Sequence, residues 1–225
     1  MWRGGRRTAA QSQAEALEQA RGRGGVSGGA IATLVSVLAL VFSGYSFYES
    51  VLRAPELAIY VPPRMDYTDP DRPDSPLEVF VIPVTLVNDG ARTGTVLSID
   101  LEVANPRTGQ TKRFYAAQIG SWGEEPLKPF TPVSLAGRGS YSQALQFFPR
   151  VGEEVARILD LEPGSYRFLL TLNTAVAAGA SLLPQARVEP LVFERQIGQL
   201  DYRNFNGNGT MGMWAADYRP SGSGG

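Results

Sequence analysis

An uncharged stretch near the N-terminus decides the class of this protein. From Gly28 to Tyr48 the chain runs 21 residues without a charged side chain. At about 1.5 Å per residue, a helix of that length matches the hydrocarbon thickness of a bilayer. Aromatic side chains collect at its C-terminal end, at Tyr45, Phe47 and Tyr48, where an interfacial belt is expected. The stretch therefore predicts one transmembrane helix over residues 26–50.

Arginines flank this stretch unevenly. Five precede it, whereas only Arg53 and Arg64 lie in the twenty residues that follow. Because positive charge is retained on the cytoplasmic side, residues 1–25 are predicted to be cytoplasmic. An Arg-rich start before an apolar run is also typical of a cleaved signal peptide. The exit from the run, Ser43 to Glu49, is aromatic and lacks a small-x-small cleavage pattern, which favours an uncleaved signal anchor.

The predicted topology is a single pass through the bacterial inner membrane, with the C-terminal domain in the periplasm. Within the cytoplasmic segment, residues 8–20 are rich in strong helix formers. Thr8 and Gln11 have the spacing of a capping box, so we expect a short helix there. A fraying terminus is the alternative for the same residues.

One face of the predicted transmembrane helix carries only small residues. They recur at alternating steps of four and three, a period of 3.5, and therefore share one side of the helix. In a bilayer, small side chains allow a second backbone to approach closely, and hydroxyls add hydrogen bonds across the contact. We therefore expect another transmembrane helix to pack here, from a second copy or from a different protein. This helix-packing seam consists of Gly25, Gly29, Ala32, Ser36, Ala39, Ser43, Ser46 and Ser50.

The chain contains neither Cys nor His. This composition excludes disulfides, thiolate metal sites and cysteine nucleophiles, and it removes the most common general base and zinc ligand. The formal charge of −1 divides into +3 on residues 1–25 and −4 on the remainder, which is not the basic surface that a nucleic acid requires. We expect no catalytic residue, no metal or cofactor, no small-molecule substrate and no nucleic-acid partner.

Two acidic patterns offer weaker alternatives. Four aspartates within residues 66–74 could supply oxygen ligands for calcium, but the segment lacks the glycine that an EF-hand turn requires. Two glutamates beside a tryptophan resemble the paired carboxylates of a sugar-cleaving site, although adjacent residues on a strand face opposite ways. A solvated loop is the simpler interpretation of both. The residues concerned are Asp66, Asp69, Asp71 and Asp74 in the first pattern, and Trp122, Glu124 and Glu125 in the second.

Residues 51–197 show the pattern of an all-β domain. In Thr95–Ala104, apolar residues alternate with polar ones, as in a sheet with one solvated face. Leu77–Val87 contains Pro83, which predicts a central strand that is broken or bulged at the proline. Strand number and spacing favour a two-sheet sandwich, interrupted by one helix over Gly152–Leu159. The predicted strands are Glu56–Val61, Leu77–Val87, Thr95–Ala104, Thr111–Gln118, Pro132–Leu135, Ser140–Phe148, Ser165–Asn173 and Arg187–Ile197.

Several turns in this region are similar to those of a known fold. Val84-Thr85-Leu86-Val87-Asn88-Asp89-Gly90, continuing into Leu97-Ser98-Ile99-Asp100-Leu101, resembles the strand, Asn-x-Gly turn and strand of bacterial membrane-anchored immunoglobulin-like or fibronectin-like ectodomains. Residues 135–140 and 162–166 resemble later turns of such domains. The likeness covers residues 77–175. It implies an immunoglobulin-like two-sheet sandwich and assigns no functional residue.

Residues 198–225 form a tail rich in Gly and Asn, with scattered aromatic residues. Unstructured tails are usually poor in aromatics, which are enriched in the cores of protein interfaces. We therefore predict a segment that docks onto a neighbouring protein. The predicted docking residues are Tyr202, Phe205, Met211, Met213, Trp214 and Tyr218.

Together these features favour a non-catalytic accessory or structural subunit of a larger bacterial membrane complex. Energy-transducing complexes, respiratory or photosynthetic, are one class in which such a subunit would serve. Its expected partners are the bilayer, other transmembrane helices and periplasmic protein surfaces. The alternative is a stand-alone membrane-anchored binding or adhesion module of the cell envelope, whose recognition loop would be residues 62–76 or 119–131.

Overall fold

A computed structural model of the chain describes residues 25–68, 78–121, 127–150, 161–175 and 185–218. The chain divides into two compact units, Met1–Val51 and Leu52–Gly225. Some predictions lie outside the described residues. They are the cytoplasmic segment 1–24 with its helix over 8–20, the helix Gly152–Leu159, the aspartates Asp69, Asp71 and Asp74, and the group Trp122, Glu124 and Glu125.

The first unit contains the apolar helix that the sequence predicts. Helix α1 spans Gly25–Phe47 and continues into one π-helical turn, Tyr48–Leu52. The stretch Gly29–Leu52 is long and apolar enough to cross a membrane, and its most apolar part is fully exposed in the isolated chain. An α-helix forms here because the residues are apolar and no proline interrupts them.

The second unit is β-rich, and its described part contains one helix. The strands are β1 (Glu56–Tyr60), β2 (Arg64–Thr68), β3 (Val79–Asn88), β4 (Gly94–Ala104), β5 (Thr111–Gly120), β6 (Lys128–Pro129), β7 (Val133–Leu135), β8 (Ser140–Pro149), β9 (Gly164–Thr174), β10 (Arg187–Val188), β11 (Leu191–Ile197) and β12 (Thr210–Trp214). Helix α2 (Gln199–Asn208) connects the last two strands.

Eight of these strands close into a barrel. The order around the ring is β3, β8, β5, β4, β9, β11, β12, β2 and again β3, and each neighbouring pair is antiparallel. The other four strands extend from it: β10 pairs with β1, β1 with β3, β6 with β5, and β7 with β4. The ring is joined least extensively between β11 and β12, where only Gln196 and Trp214 pair.

The predicted immunoglobulin-like two-sheet sandwich is therefore wrong, although the β-rich character of the domain is correct. In a sandwich each strand belongs to one of two sheets. Here β8 pairs with β3 along Ser140–Phe147 and with β5 along Ala144–Pro149, so it joins what would otherwise be two edges. Period-2 alternation and strand spacing are the same in a sandwich and in a barrel, and for that reason the sequence pattern could not separate them.

Alternate residues of the ring strands fill the interior. In β3 every second side chain is buried, and β4 and β9 show the same alternation over most of their lengths. Aromatic rings occupy the centre: Phe80 contacts Phe114 edge-on at 4.9 Å and Phe168 at 5.7 Å between ring centroids. Tyr67 lies 4.9 Å from Phe80 on the other side. Edge-to-face contacts of this kind add to the stabilisation from burial.

Strands β1 and β2 follow one another in the sequence and both pair with β3, but the pairing register shifts between them. Tyr60 pairs with Thr85, whereas Asp66 pairs with Val81, so the sum of paired residue numbers changes by two. The shift occurs in the short connection that contains Pro62 and Pro63. Proline supplies no backbone N–H, and it is therefore tolerated where the ladder is interrupted.

The sequence predicted a break or bulge in β3 at Pro83, but β3 is continuous and keeps its register with β8 through Pro83. The N–H of Asn88 donates to the carbonyl of Gly139, so even-numbered residues of β3 bond to β8 and odd-numbered ones face β1 and β2. The donor that Pro83 lacks would therefore point at the β1–β2 connection. The interruption lies in the neighbouring strand.

Four described elements lie where the sequence predicted none: β2, α2, β12 and the short strand β6 within the alternative recognition loop 119–131. Strand β2 occupies part of the predicted recognition loop 62–76, and that part of the loop prediction is wrong. Helix α2 and strand β12 lie within the segment predicted as a docking tail, and β12 is a member of the barrel ring. The predicted strand Arg187–Ile197 is divided into β10 and β11.

Candidate functional site

The helix-packing seam lies almost entirely on α1. Seven of its eight residues belong to the α-helix, and at 100° per residue they fall within an arc of about 100°. The eighth, Ser50, lies in the π-helical turn, and its hydroxyl donates to the carbonyl of Phe47 at 3.3 Å. From Gly29 onward every seam residue is exposed. The described chain therefore leaves this face available to another molecule.

The polar side chains near the middle of α1 are satisfied within the helix. The hydroxyls of Thr33 and Ser36 donate to the carbonyls of Gly29 and Ala32, four residues earlier, each at 2.9 Å. Internal bonds of this type allow serine and threonine to reside in an apolar environment. The oxygen of Ser36 retains lone pairs that can accept a hydrogen bond from a neighbouring helix.

Four of the six predicted docking residues belong to the core of the barrel. Met211 and Met213 are buried on β12, opposite Tyr67 and Met65 of β2. Tyr202 and Phe205 of α2 are partly buried and pack against the same core. The alternation of Met211 with Met213 was the available sequence signal for a strand.

The remaining two, Trp214 and Tyr218, lie on the outer surface. Their rings stack at 5.3 Å with an interplanar angle of 3°, and the guanidinium of Arg64 lies 5.3 Å from the centre of the Trp214 ring. Arg64 also pairs with Asp66 at 3.1 Å. Docking of this segment onto a neighbour stays a prediction, and these two rings are its surface-accessible part.

Arg195 is a buried charge that the sequence analysis did not single out. Its side chain is within the barrel wall, with only 5% of the residue exposed. The guanidinium donates to the carbonyls of Pro62 at 2.6 Å and Glu194 at 2.7 Å, and it lies 4.7 Å from the ring centre of Phe193. Desolvation lowers the pKa of Arg195, and the charge of Asp217 partly opposes that shift.

The position of Arg195 follows from the divergence of the strands. Where the chain bends at Pro62 and Pro63, the carbonyls of these two residues have no place in the β1–β3 or β2–β3 ladders. The N–H of Ala215 reaches the carbonyl of Pro63, and Arg195 reaches that of Pro62. Arg195 therefore satisfies a backbone acceptor in the wall. Its own Nε has no hydrogen-bond partner in the described part of the chain.

A second buried charge, Glu78, lies at the start of β3. It is fully buried and accepts hydrogen bonds from the hydroxyl of Tyr67, at 3.0 Å, and from the ammonium group of Lys112. The Lys112 ammonium also lies 5.7 Å from the ring centre of Phe114. A buried carboxylate is stable only with partners of this kind. Because the two partners belong to β2 and β5, the group links these strands to the start of β3.

No metal-binding group can be assembled from the described residues. Of the four aspartates considered for calcium, only Asp66 is described, and it lies on β2 in an ion pair with Arg64. Within the same residues no three carboxylates approach one another closely enough to hold an ion. The buried charges Glu78 and Arg195 each make hydrogen bonds to other parts of the β domain.

The described surface also carries an apolar groove of about 540 Å³ on the outer side of β1, β3 and β8. Its described lining comes from β1 and the β1–β2 connection, from the middle of β3, from β8 and from the residue after β5: Tyr60, Val61, Pro62, Pro83, Val84, Thr85, Ser142, Gln143, Ala144 and Ser121. It lies where the β1–β2 connection leaves β3 without a paired neighbour. Among the described residues that line the groove, none carries a charge.

Comparison with known proteins adds no family. No family model matches this sequence, and no curated protein does. Among solved structures, the ApaA protein from Bordetella pertussis is 14% identical, covers 74% of this chain and 99% of its own, and has a TM-score of 0.33. The CARDB domain of a Pyrococcus furiosus protein, solved with di-metal ions, is 14% identical, with coverages of 64% and 89% and a TM-score of 0.27. Neither likeness assigns a fold family, a ligand or a metal to this chain.

Proposed function

We propose that this protein is a non-catalytic accessory subunit that stabilises or docks a larger bacterial membrane complex. The observation that carries the proposal is α1: an uncharged helix that is exposed from Gly29 onward, is long enough to span a bilayer and has small residues along one face. Lipid chains can cover large apolar side chains as well as a protein can, so contact with lipid alone does not explain a face made only of small residues. A second helix in close contact does.

The proposed topology places residues 1–25 in the cytoplasm and the barrel in the periplasm, on the far side of the inner membrane. The arginine bias supports that orientation. Reporter fusions test it directly. Alkaline phosphatase fused after Tyr218 is expected to be active, because that enzyme requires the oxidising periplasm, and a cytoplasmic reporter fused at the same place is expected to be inactive.

The proposed function is tested by extraction of the tagged full-length chain from its native membranes in mild detergent, followed by particle size and composition analysis. We expect a stoichiometric set of other membrane proteins. Each of the substitutions Ala32→Leu, Ser36→Leu and Ala39→Leu adds bulk to the seam, and each should reduce recovery of those proteins at least tenfold. The matched control is Ala30→Leu, the same substitution on the opposite side of α1.

A tagged chain that emerges alone, as a monomer or a homodimer, contradicts the accessory-subunit proposal. That result would favour a stand-alone binding module of the envelope. Equal loss of partners in Ala30→Leu and in the seam variants would also count against it, because it would show an effect of bulk anywhere on the helix.

A further inference from the structure

The loop between β3 and β4 holds the first residues that follow the apolar stretch. Arg53 comes directly after the stretch that is able to cross a membrane. Its carbonyl accepts hydrogen bonds from the N–H groups of Ala91 and Arg92, at 3.2 and 3.1 Å. A Cβ at Gly90 would clash with the carbonyl oxygen of Ala54. This loop is therefore in close backbone contact with the start of the β domain.

The turn between β7 and β8 packs against the same loop. Arg138 in that turn donates its backbone N–H to the carbonyl of Gly90, at 2.9 Å. A Cβ at Gly137 would clash with the carbonyl oxygen of Ala91. Because the carbonyl of Gly90 and the N–H of Ala91 belong to one peptide group, two hydrogen bonds and that group connect Arg138 with Arg53. The backbone nitrogen of Arg138 thus lies within about 9 Å of the carbonyl oxygen of Arg53.

Arg138 has a backbone conformation that arginine rarely adopts. Its φ is 57°, and among the described residues it is the one non-glycine residue with a positive φ. Glycine adopts this conformation without steric cost, and glycine stands on both sides of Arg138 in the sequence. The residue is exposed. Strained positions of this kind are concentrated at functional sites, so the exposed guanidinium is a candidate for one.

The charges around this turn are mixed, with an excess of arginine. Glu56 pairs with Arg53 at 2.8 Å. The loop between β3 and β4 carries one exposed carboxylate, Asp89, and one arginine, Arg92. With Arg138 the group has three arginines and two carboxylates, which is compatible with an anionic ligand.

The end of α1 determines where Arg53 would lie in a membrane. When α1 spans a bilayer, as the proposed function requires, Glu49 is the first charged residue to reach the headgroup layer. Tyr48–Leu52 is helical, and Arg53 therefore follows Glu49 by no more than about 8 Å. The headgroup layer of one leaflet is itself about 5–8 Å thick. Arg53 is then within this layer or directly beside it, and the turn that contains Arg138 is close by.

We propose that Arg138, together with Arg92, binds the phosphate groups of phospholipids in the leaflet next to the β domain. A guanidinium can donate two parallel hydrogen bonds to one phosphate. Lipid phosphates are the anionic groups that the membrane itself brings to this position. The inference rests on the part of the proposed function that places α1 across a bilayer, but it requires no partner protein.

The position of the turn is tested with single cysteine labels, because the chain has no cysteine of its own. A fluorophore is attached to Ala136→Cys, in the exposed part of the turn, or to Thr108→Cys, in the exposed turn after β4. The full-length chain is placed in nanodiscs whose lipids carry a nitroxide on the headgroup. Quenching should be at least about threefold stronger at position 136 than at position 108. Equal quenching at the two positions would overturn the proposal.

Phosphate binding is tested by a variant that preserves the fold. Arg138→Gly removes the guanidinium and suits the positive φ of the turn. Arg107→Gly is the matched control, since it removes an exposed arginine from the turn after β4. Phosphatidylglycerol is titrated into the full-length chain in detergent, and bound lipid is counted by native mass spectrometry. Arg138→Gly should weaken binding about fivefold, and Arg107→Gly should leave it unchanged.

The outcomes separate this inference from the proposed function. Equal lipid affinity in Arg138→Gly and the unsubstituted chain, or equal losses in both variants, overturns the phosphate site and leaves the accessory-subunit proposal intact. Specific loss in Arg138→Gly from a chain that carries no partner protein supports the phosphate site and contradicts the accessory-subunit proposal. Release of the chain from membranes by alkaline carbonate would show that α1 does not span a bilayer, and both proposals would then be wrong.

Discussion

Asn88 attaches the outer strands β1 and β7 to the end of barrel strand β3, and its replacement by alanine should be strongly destabilising. Its side chain is fully buried. The Oδ1 atom accepts from the N–H groups of Glu56 at 3.2 Å and Gly90 at 3.1 Å. The Nδ2 atom donates to three carbonyls at 2.8 to 3.2 Å, those of Arg92, Leu135 and Ala136. One amide thus connects β1, β3 and β7.

The expected magnitude follows from the groups that Asn88→Ala leaves without this partner. Two backbone N–H groups lose their acceptor, and a buried donor left unsatisfied costs about 1–3 kcal/mol. The three carbonyls share two N–H donors, so their loss adds less. We expect a decrease in unfolding free energy of about 2–5 kcal/mol, a large fraction of the roughly 5–15 kcal/mol of an ordinary domain. Asn88→Asp should cost more, because a carboxylate oxygen would then face the three carbonyls.

The assay is equilibrium unfolding of the full-length chain in detergent micelles by urea, followed by tryptophan fluorescence and circular dichroism. The matched control is Asn173→Ala. That amide also makes hydrogen bonds, to Ser98 and Asp100 at 2.9 Å each, but on the solvated face. The control should change stability by about 0.5 kcal/mol or less. Equal losses in Asn88→Ala and Asn173→Ala would refute the reasoning from burial.

Three further predictions concern the barrel and are tested by the same unfolding assay. Lys112→Met removes a cationic partner of the buried Glu78 and should lower the free energy of unfolding by about 3 kcal/mol. Adding Glu78→Gln should restore most of that loss. A double variant that is no more stable than Lys112→Met would contradict the pairing. Gly90→Ala should lower the free energy of unfolding by about 2–3 kcal/mol, because the added Cβ would clash with the backbone carbonyl oxygen of Ala54. The control Gly212→Ala meets only ordinary contacts and should be near neutral. Equal effects of the two substitutions would argue against close packing at Gly90. Desolvation lowers the pKa of Arg195, so a lysine at that position should have a folded-state pKa below its unfolded value. The unfolded state then binds more protons between those two values, and Arg195→Lys should gain stability relative to the unsubstituted chain as pH rises from 7 toward 10; a flat difference would show that the site is hydrated.

The part of the fold that could be predicted from sequence depends on neighbouring residues. Helix α1 follows from an uninterrupted apolar run, and β4 and β9 follow from period-2 alternation. Strands β3, β5 and β8 follow from short segments bounded by turn residues. Each of these signals is contained within about ten to twenty consecutive residues, so no tertiary information is needed to see it.

The candidate functional residues, too, could be predicted from the sequence only in part. The small residues along α1 were visible because a helix converts sequence spacing directly into a face. Tyr202, Phe205, Met211 and Met213 were equally visible as apolar residues in a Gly- and Asn-rich segment. Composition alone could not show whether they cover a partner or their own barrel, since both surfaces select the same residue types.

Only the tertiary structure decided how the strands join. Strand β12 completes the ring by pairing Thr210 with Thr68, which lies far away in the sequence, and β8 closes it by using both of its edges. The buried guanidinium of Arg195 donates to the carbonyl of Pro62, 133 residues earlier in the sequence. Alternation specifies which face of a strand is apolar, but it carries no information about which edge meets which. For that reason the sequence alone determined an apolar helix followed by a β-rich domain, and long-range pairing decided that the domain closes into a barrel.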